Sequence, residues 1–448
     1  MHSASKEELS MGNAELRRRR RTALLFILNS SFSILLAACA SLPGPRREVN
    51  ILPSPVAYVT PAPLPQPTAT PTLEPLPTAT VVPPTAAPKR MPQQSTATIG
   101  LWSDTIQSAQ SFPGFLDLAT GSAARDYQRE RNQLLVTLTK QRVNAAPAEQ
   151  LADLQANQPD WLLYDRNKRV VFSSADRQAP LLDIRNDAVR NWLAEEIARA
   201  IGEGGFEGIV LSDVGVDLIR PTSAPVYTGT QTFTEQQRRS AVEGLLRAIR
   251  ARIPDKLMIV GGYAWKDGAA FAARSDEAQT LATLADGIHI EEFLRSPISK
   301  TTEFKSEANW KRDVDFLSVA SQDNKVVLIT TQLSDAPEEL ARQWLSYATA
   351  SYLLGKNGAH TYFQFDGGDP AYSDDPILNA PIGAPTEAYT KLSSGIYQRP
   401  FSKGLVLVNP TGEQKKSSIQ GSYKSLQGNP VDTNITMGPR TGIILLKQ

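Results

Sequence analysis

From about residue 98 onward, short apolar runs rich in β-branched residues alternate with longer stretches whose apolar positions recur at helical spacing. The short runs predict strands at residues 98–102, 133–138, 161–164, 206–211, 257–261, 287–290, 325–330 and 359–365. The longer stretches predict helices at 148–156, 187–201, 234–252, 272–284, 307–320 and 337–354, with a less regular first crossover over 112–131. Start signals support two of them: Asp187 as a cap in Asn186-Asp187-Ala188, and a capping-box pattern of Thr234 with Gln237. Strands that alternate with helices over about 270 residues imply a parallel sheet, and eight such units close as a (β/α)₈ barrel, the expected fold. A doubly wound open sheet is the alternative, but no glycine-rich phosphate fingerprint follows any strand.

Beyond Gly395 the period changes again. Residues 404–410 and 441–446 read as strands, 417–419 and 423–426 as weaker ones, with Gly and Asn turn signals between them. A small antiparallel β module over 395–448, packed on a barrel domain of 96–394, is expected.

The chain before the barrel carries no such pattern. Arg17 to Arg21 form a basic block, residues 22–38 are mostly apolar without charge, and Leu36-Ala37-Ala38-Cys39 ends in small residues and the single cysteine. This predicts a secretory signal over 1–38 whose ending resembles a bacterial lipobox, with Cys39 as the lipidated residue; an uncleaved membrane helix is the alternative. Between Pro43 and Pro92 lie fifteen of the 32 prolines, interleaved with Thr, Ala and Ser. Such a segment cannot bury a core and favours polyproline II, so residues 39–95 are expected to be a disordered tether reaching on the order of 150 Å at ~3.1 Å per residue. The expected location is the outer face of a bacterial membrane, held by the lipid anchor.

Composition then removes several functions. The formal net charge of +1 includes a leader with six Lys/Arg against three Asp/Glu, so the remainder is near −2 and offers no electrostatic case for nucleic acid. Cys39, once lipidated, leaves no thiol for a disulfide or nucleophile. His2, His289 and His360 are the only histidines, which leaves a metal site or a Ser/His/Asp triad poorly supported; no metal and no cofactor is expected.

Chemistry in a (β/α)₈ barrel sits at the C-terminal ends of the strands. Those ends here supply Trp102 and Asp104, Tyr164 and Asp165, Asp213, Tyr263 and Trp265, Glu291 and Glu292, Gln332, and Gln364 with Asp366. Aromatics with carboxylates and amides suit a sugar, whose C–H faces stack on rings while its hydroxyls bond in pairs to carboxylates and amides. Each has a plainer reading too: Asp213 as a loop residue, Glu291 or Glu292 as a paired strand end, and Asp366 as a turn residue.

Four segments together resemble a known family: Leu182-Asp183-Ile184-Arg185-Asn186, Gly205-Phe206-Glu207-Gly208-Ile209-Val210-Leu211-Ser212-Asp213, Asp286-Gly287-Ile288-His289-Ile290-Glu291, and the stretch from Tyr397 to Pro410. They are similar to the hypothetical glycosyl hydrolase family fifteen, a group of glycoside-hydrolase-like barrels, over about residues 98–448. The resemblance implies a (β/α)₈ barrel with a C-terminal β module and a role on polysaccharides. In similar barrels strand four ends Leu-Asp-Asp or Leu-Asp-Asn; here the first of those places is Ser212 and the carboxylate comes one residue later, at Asp213.

The expected function is a surface-tethered glycoside hydrolase, acting as a monomer on a carbohydrate, with Asp213 as nucleophile and Glu291 as general acid/base. Trp102, Asp104, Tyr164, Asp165, Tyr263, Trp265, Glu292, Gln332, Gln364 and Asp366 would shape its sugar subsites. The alternative is an envelope lipoprotein that binds glycan without cleaving it.

Overall fold

The computed structural model describes residues 91–92, 99–105, 116–165, 167–172, 178–212, 214, 227–228, 231–232, 235–263, 282–321, 325–367 and 375–448. Eight strands form one sheet in chain order, every neighbouring pair parallel. They are β1 (Trp102–Ser103), β2 (Leu118–Thr120), β3 (Val136–Arg142), β4 (Gly208–Ser212), β5 (Leu257–Tyr263), β6 (Gly287–Ile290), β7 (Val326–Gln332) and β8 (Thr361–Asp366). A parallel bridge from Leu101 to Phe363, with the Phe363 N–H donating to the Gly100 carbonyl at 3.0 Å, joins the first strand to the last and closes the ring.

Alternation along each strand sorts the side chains into two cores. Trp102, Leu118, Val136, Leu138, Val210, Leu257, Ile259, Val326, Leu328 and Tyr362 fill the barrel interior, with Met91 packed against them. Their neighbours, such as Ile209, Leu211, Val327 and Ile329, pack into the helical layer. Gly208 and Gly287 begin β4 and β6 where an added Cβ would come within 2.2 Å of the Leu257 carbonyl and 2.3 Å of the Val326 carbonyl. Only glycine lets the adjacent strands approach so closely there.

The helices follow their sequence periods: α1 (Ser122–Glu130), α2 (Leu151–Asn157), α3 (Asp187–Gly204), α4 (Glu235–Arg252), α5 (Glu307–Ala320) and α6 (Glu338–Gly355). At α3 the cap is Asn186 rather than Asp187: its side chain accepts from the Ala188 N–H at 2.9 Å, which puts Asp187 in the first turn. Gly205 closes the same helix in the left-handed conformation, φ 66°. Thr234 and most of the expected helix 272–284 lie outside the described residues. No helix of the described residues is long and apolar enough to cross a membrane.

Two strand expectations exchange places. Residues 161–164 are not a barrel strand: Pro159–Trp161 is a 3₁₀ turn, and Leu162 and Tyr164 make isolated antiparallel bridges to Leu182 and Val170. Their apolar character comes from packing on the outer core, where Trp161 lies 5.7 Å from Trp192 between ring centroids. The second barrel strand is instead Leu118–Thr120, three residues inside the expected first crossover and too short to show a period.

The C-terminal residues form β9 (Thr390–Lys391), β10 (Tyr397–Phe401), β11 (Gly404–Asn409), β12 (Lys415–Ser418), β13 (Tyr423–Lys424), β14 (Pro430–Val431), β15 (Asn434–Met437) and β16 (Thr441–Lys447). Six of them make an antiparallel sheet in the order β9-β10-β11-β16-β13-β14, and β12 pairs with β15. Along β11, Leu405 and Leu407 enter the module's own core, while Val406 and Val408 join the core shared with α6. Arg399 on β10 fixes this junction. Its buried guanidinium donates to the carbonyls of Leu353 and Leu354 at 3.0 and 2.8 Å, Lys356 at 2.6 Å and Glu387 at 2.9 Å, and to Asn357 Oδ1 at 2.7 Å. It thereby satisfies the carbonyls that a helix leaves open at its C-terminus.

Candidate active site

The same alternation that fills the interior decides what stands at its mouth. On β3, Val136 and Leu138 point inward, so Lys140 and Arg142 do as well. On β4, Val210 is followed inward by Ser212; on β7 and β8 the inward series end in Gln332 and in Gln364 and Asp366. Lys140, Arg142, Ser212, Gln332 and Asp366, with Asp104, His289, Glu291 and Glu292, line a cavity of about 500 Å³ at the C-terminal ends of the strands.

Glu291 follows β6 directly. Its carboxylate lies over Gly261 of β5, where an added Cβ would stand 2.9 Å from Oε1 and 3.3 Å from the Leu211 carbonyl. The end of β5 is re-aimed by a register shift between Val260 and Tyr263, with Gly262 at φ 89°. Beneath Glu291 sits His289, 1% exposed. Its Nε2 is 2.9 Å from Thr330 Oγ1, its Nδ1 is 3.4 Å from Glu291 Oε1, and the Trp102 ring meets it edge-on at 4.7 Å. Burial, then the charge of Lys140, pushes the imidazole down to about 3 against the pull of Asp104, so the ring is neutral at pH 7. A neutral ring carries one N–H. On Nε2 that proton is shared with Thr330 Oγ1, and Nδ1 faces the Glu291 carboxyl without a hydrogen bond among the described groups.

The loop after Glu291 is pinned from both sides. Leu294 adopts φ 67°, unusual for a branched side chain, and its N–H donates to Asp313 Oδ2 at 2.8 Å. Asp313 is buried, pairs with Lys305 at 2.7 Å, and is held above the usual carboxylate range by burial despite that lysine. Thr331 Oγ1 donates to the Phe293 carbonyl at 3.1 Å, and the Arg295 guanidinium donates to the carbonyls of Gln332 and Ser299. Glu292 accepts from Ser296 Oγ at 3.1 Å.

Across the mouth, Asp104 pairs with Lys140 and accepts from Gln364 Nε2 at 2.8 Å. Burial works against its charge, but Lys140 and these hydrogen bonds hold the carboxyl below its ordinary value. Gln332 Nε2 donates to Asp366 Oδ2 at 3.3 Å. Among the described residues no three His, Cys, Asp or Glu side chains group as a metal site.

The structure therefore brings Asp104, Glu291, Glu292, Gln332 and Asp366 to one mouth, with Gln364 holding Asp104 from the next strand. Three expected subsite residues lie elsewhere. Trp102 is 1% exposed inside the barrel, its indole N–H donating to the Ile329 carbonyl at 3.0 Å, so no sugar face reaches it. Tyr164 and Asp165 belong to the excursion after β3. There Asp165 closes a turn, accepting from the N–H groups of Asn167 and Arg169 at 2.8 and 2.9 Å. Asp213 and Trp265 lie outside the described residues, as does the side chain of Tyr263. Lys140 and Arg142 were not among the expected site residues. Continuing the inward series Val136, Leu138 by two and four positions would have found them.

A closed ring of eight parallel strands with carboxylates, amides and a cationic pair at its C-terminal mouth defines a (β/α)₈ barrel. Residues 134–405 match the model of the hypothetical glycosyl hydrolase family 15, and the chain belongs to that family. No curated protein matches it. Similar solved structures include Eubacterium rectale Amy13B (10% identity, 80% of this chain and 97% of that one, TM-score 0.47). Others are an Anoxybacillus alpha-amylase (12%, 72% and 79%, 0.44) and the glycoside hydrolase domain of PelA from Pseudomonas aeruginosa (13%, 60% and 94%, 0.40). At these identities and scores the likeness adds nothing to what the topology shows.

Proposed function

We propose that this protein hydrolyses glycosidic bonds of a polysaccharide or oligosaccharide by a two-carboxylate mechanism, with Glu291 as the general acid/base. The observation that carries this reading is the seat of Glu291: at the end of β6, over Gly261, against a buried neutral histidine. A proton donor to a leaving oxygen must keep its proton near neutral pH, and a buried neutral ring beside the carboxyl adds no positive charge that would favour its ionised form. The pinned loop holds that carboxyl still, which proximity catalysis requires. Asp213 is the partner carboxylate, one residue past the inward-facing Ser212. The protein works at a cell surface, held by lipid on Cys39 and spaced outward by the proline-rich segment, a reading supported by Leu36-Ala37-Ala38-Cys39 after a basic and apolar leader. Replacing Cys39 by Ala releases it from membranes on this account.

One observation favours a second reading, glycan binding without cleavage. The inward place at the end of β4 is filled by Ser212, whose hydroxyl donates to the Gln141 carbonyl at 3.3 Å, and not by a carboxylate. A panel of polysaccharides assayed for both retention and release of reducing ends separates the two. Release supports hydrolysis, retention without release supports binding, and neither removes both.

A further inference from the structure

A second cavity, about 530 Å³, opens beside the mouth on the flank of the barrel. One wall is the connection after β3, where Ala146 and Gln150 stand; the other is α3, which presents Trp192 and Glu196. Gln141 and Arg142, consecutive residues at the end of β3, line both cavities. Successive strand residues face opposite ways, so Arg142 belongs to the mouth and Gln141 to the flank. A linear ligand crossing the end of β3 would touch both.

The chemistry of the groove suits a sugar chain without charge. Trp192 is half-buried, packs on Trp161 and lines the cavity, a flat apolar surface for the C–H face of a pyranose. Gln150 lines the same cavity and its Oε1 accepts no hydrogen bond among the described groups, so a turn of the amide toward the groove offers an acceptor to a hydroxyl. The charged lining is balanced, Arg142 and Arg199 against Glu196 and Glu203, with Arg199 and Glu196 paired to each other. From Trp192 to Glu203 the helix runs about 16 Å at 1.5 Å per residue, room for a short run of rings.

We infer that this groove binds the distal stretch of a neutral polysaccharide whose scissile bond lies in the mouth. The inference rests on the proposed function, and gives the protein a preference for long chains over short ones. The test is isothermal titration of the full-length Glu291→Gln protein with maltose and maltohexaose, cellobiose and cellohexaose, and the N-acetylglucosamine dimer and hexamer. Adding Trp192→Ala, or separately Gln150→Ala, weakens the bound hexasaccharide about tenfold and leaves the disaccharide unchanged. Trp192→Phe, which keeps a ring against Trp161, retains most of the affinity and guards against loss through misfolding. Equal loss at both lengths, or no loss for the hexasaccharide, overturns the groove while the proposed function stands. Absence of binding by every probe overturns the groove as a site for these neutral chains, and release of reducing ends from the polysaccharide panel decides the proposed function separately.

Discussion

His289 Nδ1 lies 3.4 Å from Glu291 Oε1, two residues along the same strand end, with the imidazole buried and the carboxylate 31% exposed. The ring resists protonation down to about 3, whereas an unfolded histidine takes up a proton near 6.5. The folded value is the lower one, so the stability this site contributes is complete above pH 6.5 and is lost as pH falls toward 3. The loss is up to about 1.4 kcal/mol per pH unit. Wild type should therefore lose about 2 kcal/mol more than His289→Gln between pH 7 and pH 5 by urea unfolding. Equal losses in the two proteins would contradict a buried neutral ring.

Gly261→Ala tests the seat of the Glu291 carboxylate. An added methyl would meet Oε1 at 2.9 Å, the movable end of a side chain, and the Leu211 carbonyl at 3.3 Å, which is backbone. The carboxylate should shift while the barrel survives. Displacement on the order of 1 Å costs up to about 10²-fold in rate, so hydrolysis should fall with melting temperature nearly unchanged. Full activity in the variant would show that Glu291 is not held there for catalysis.

Arg399 is the joint between the β module and α6. Its buried guanidinium, pushed down to about 10 by burial, remains charged at neutral pH and donates to five acceptors. Arg399→Met would strand the last carbonyls of α6 and should cost on the order of 3–5 kcal/mol in urea unfolding. A cost below about 1 kcal/mol would mean that apolar packing alone docks the module.

The boundary of the folded unit is open to limited proteolysis. Met91 packs against the interior core, and Tyr362 Oη lies 3.5 Å from the Pro92 carbonyl. Cleavage should thus fall within residues 43–90 and leave a fragment that still melts as the full chain does. A first stable fragment that retains residues 61–88 would contradict a separable tether.

The sequence was most legible where one period runs long. Helices 307–320 and 337–354 appear as Glu307–Ala320 and Glu338–Gly355, because their apolar faces are continuous and their starts lie beside Ser306 and Pro337. Leu118–Thr120 was hidden, since three residues carry no period, and Trp161 to Tyr164 imitated a strand because it is apolar for a different contact. At the mouth, residue types pointed to Asp104, Glu291 and Gln332, but orientation required the inward parity that only the interior core supplies. That parity buries Trp102 and brings in Lys140.

The central claim is that Glu291 delivers a proton to the departing glycosidic oxygen and takes one back from the attacking water. The most direct measurement is reducing-end release by Glu291→Gln and wild type on one glycan that both bind, with affinity measured alongside. The amide fills the same volume but cannot donate as an acid, so the rate should fall by about 10²–10⁴ with affinity unchanged. Undiminished release by Glu291→Gln would place the chemistry on other residues of the mouth.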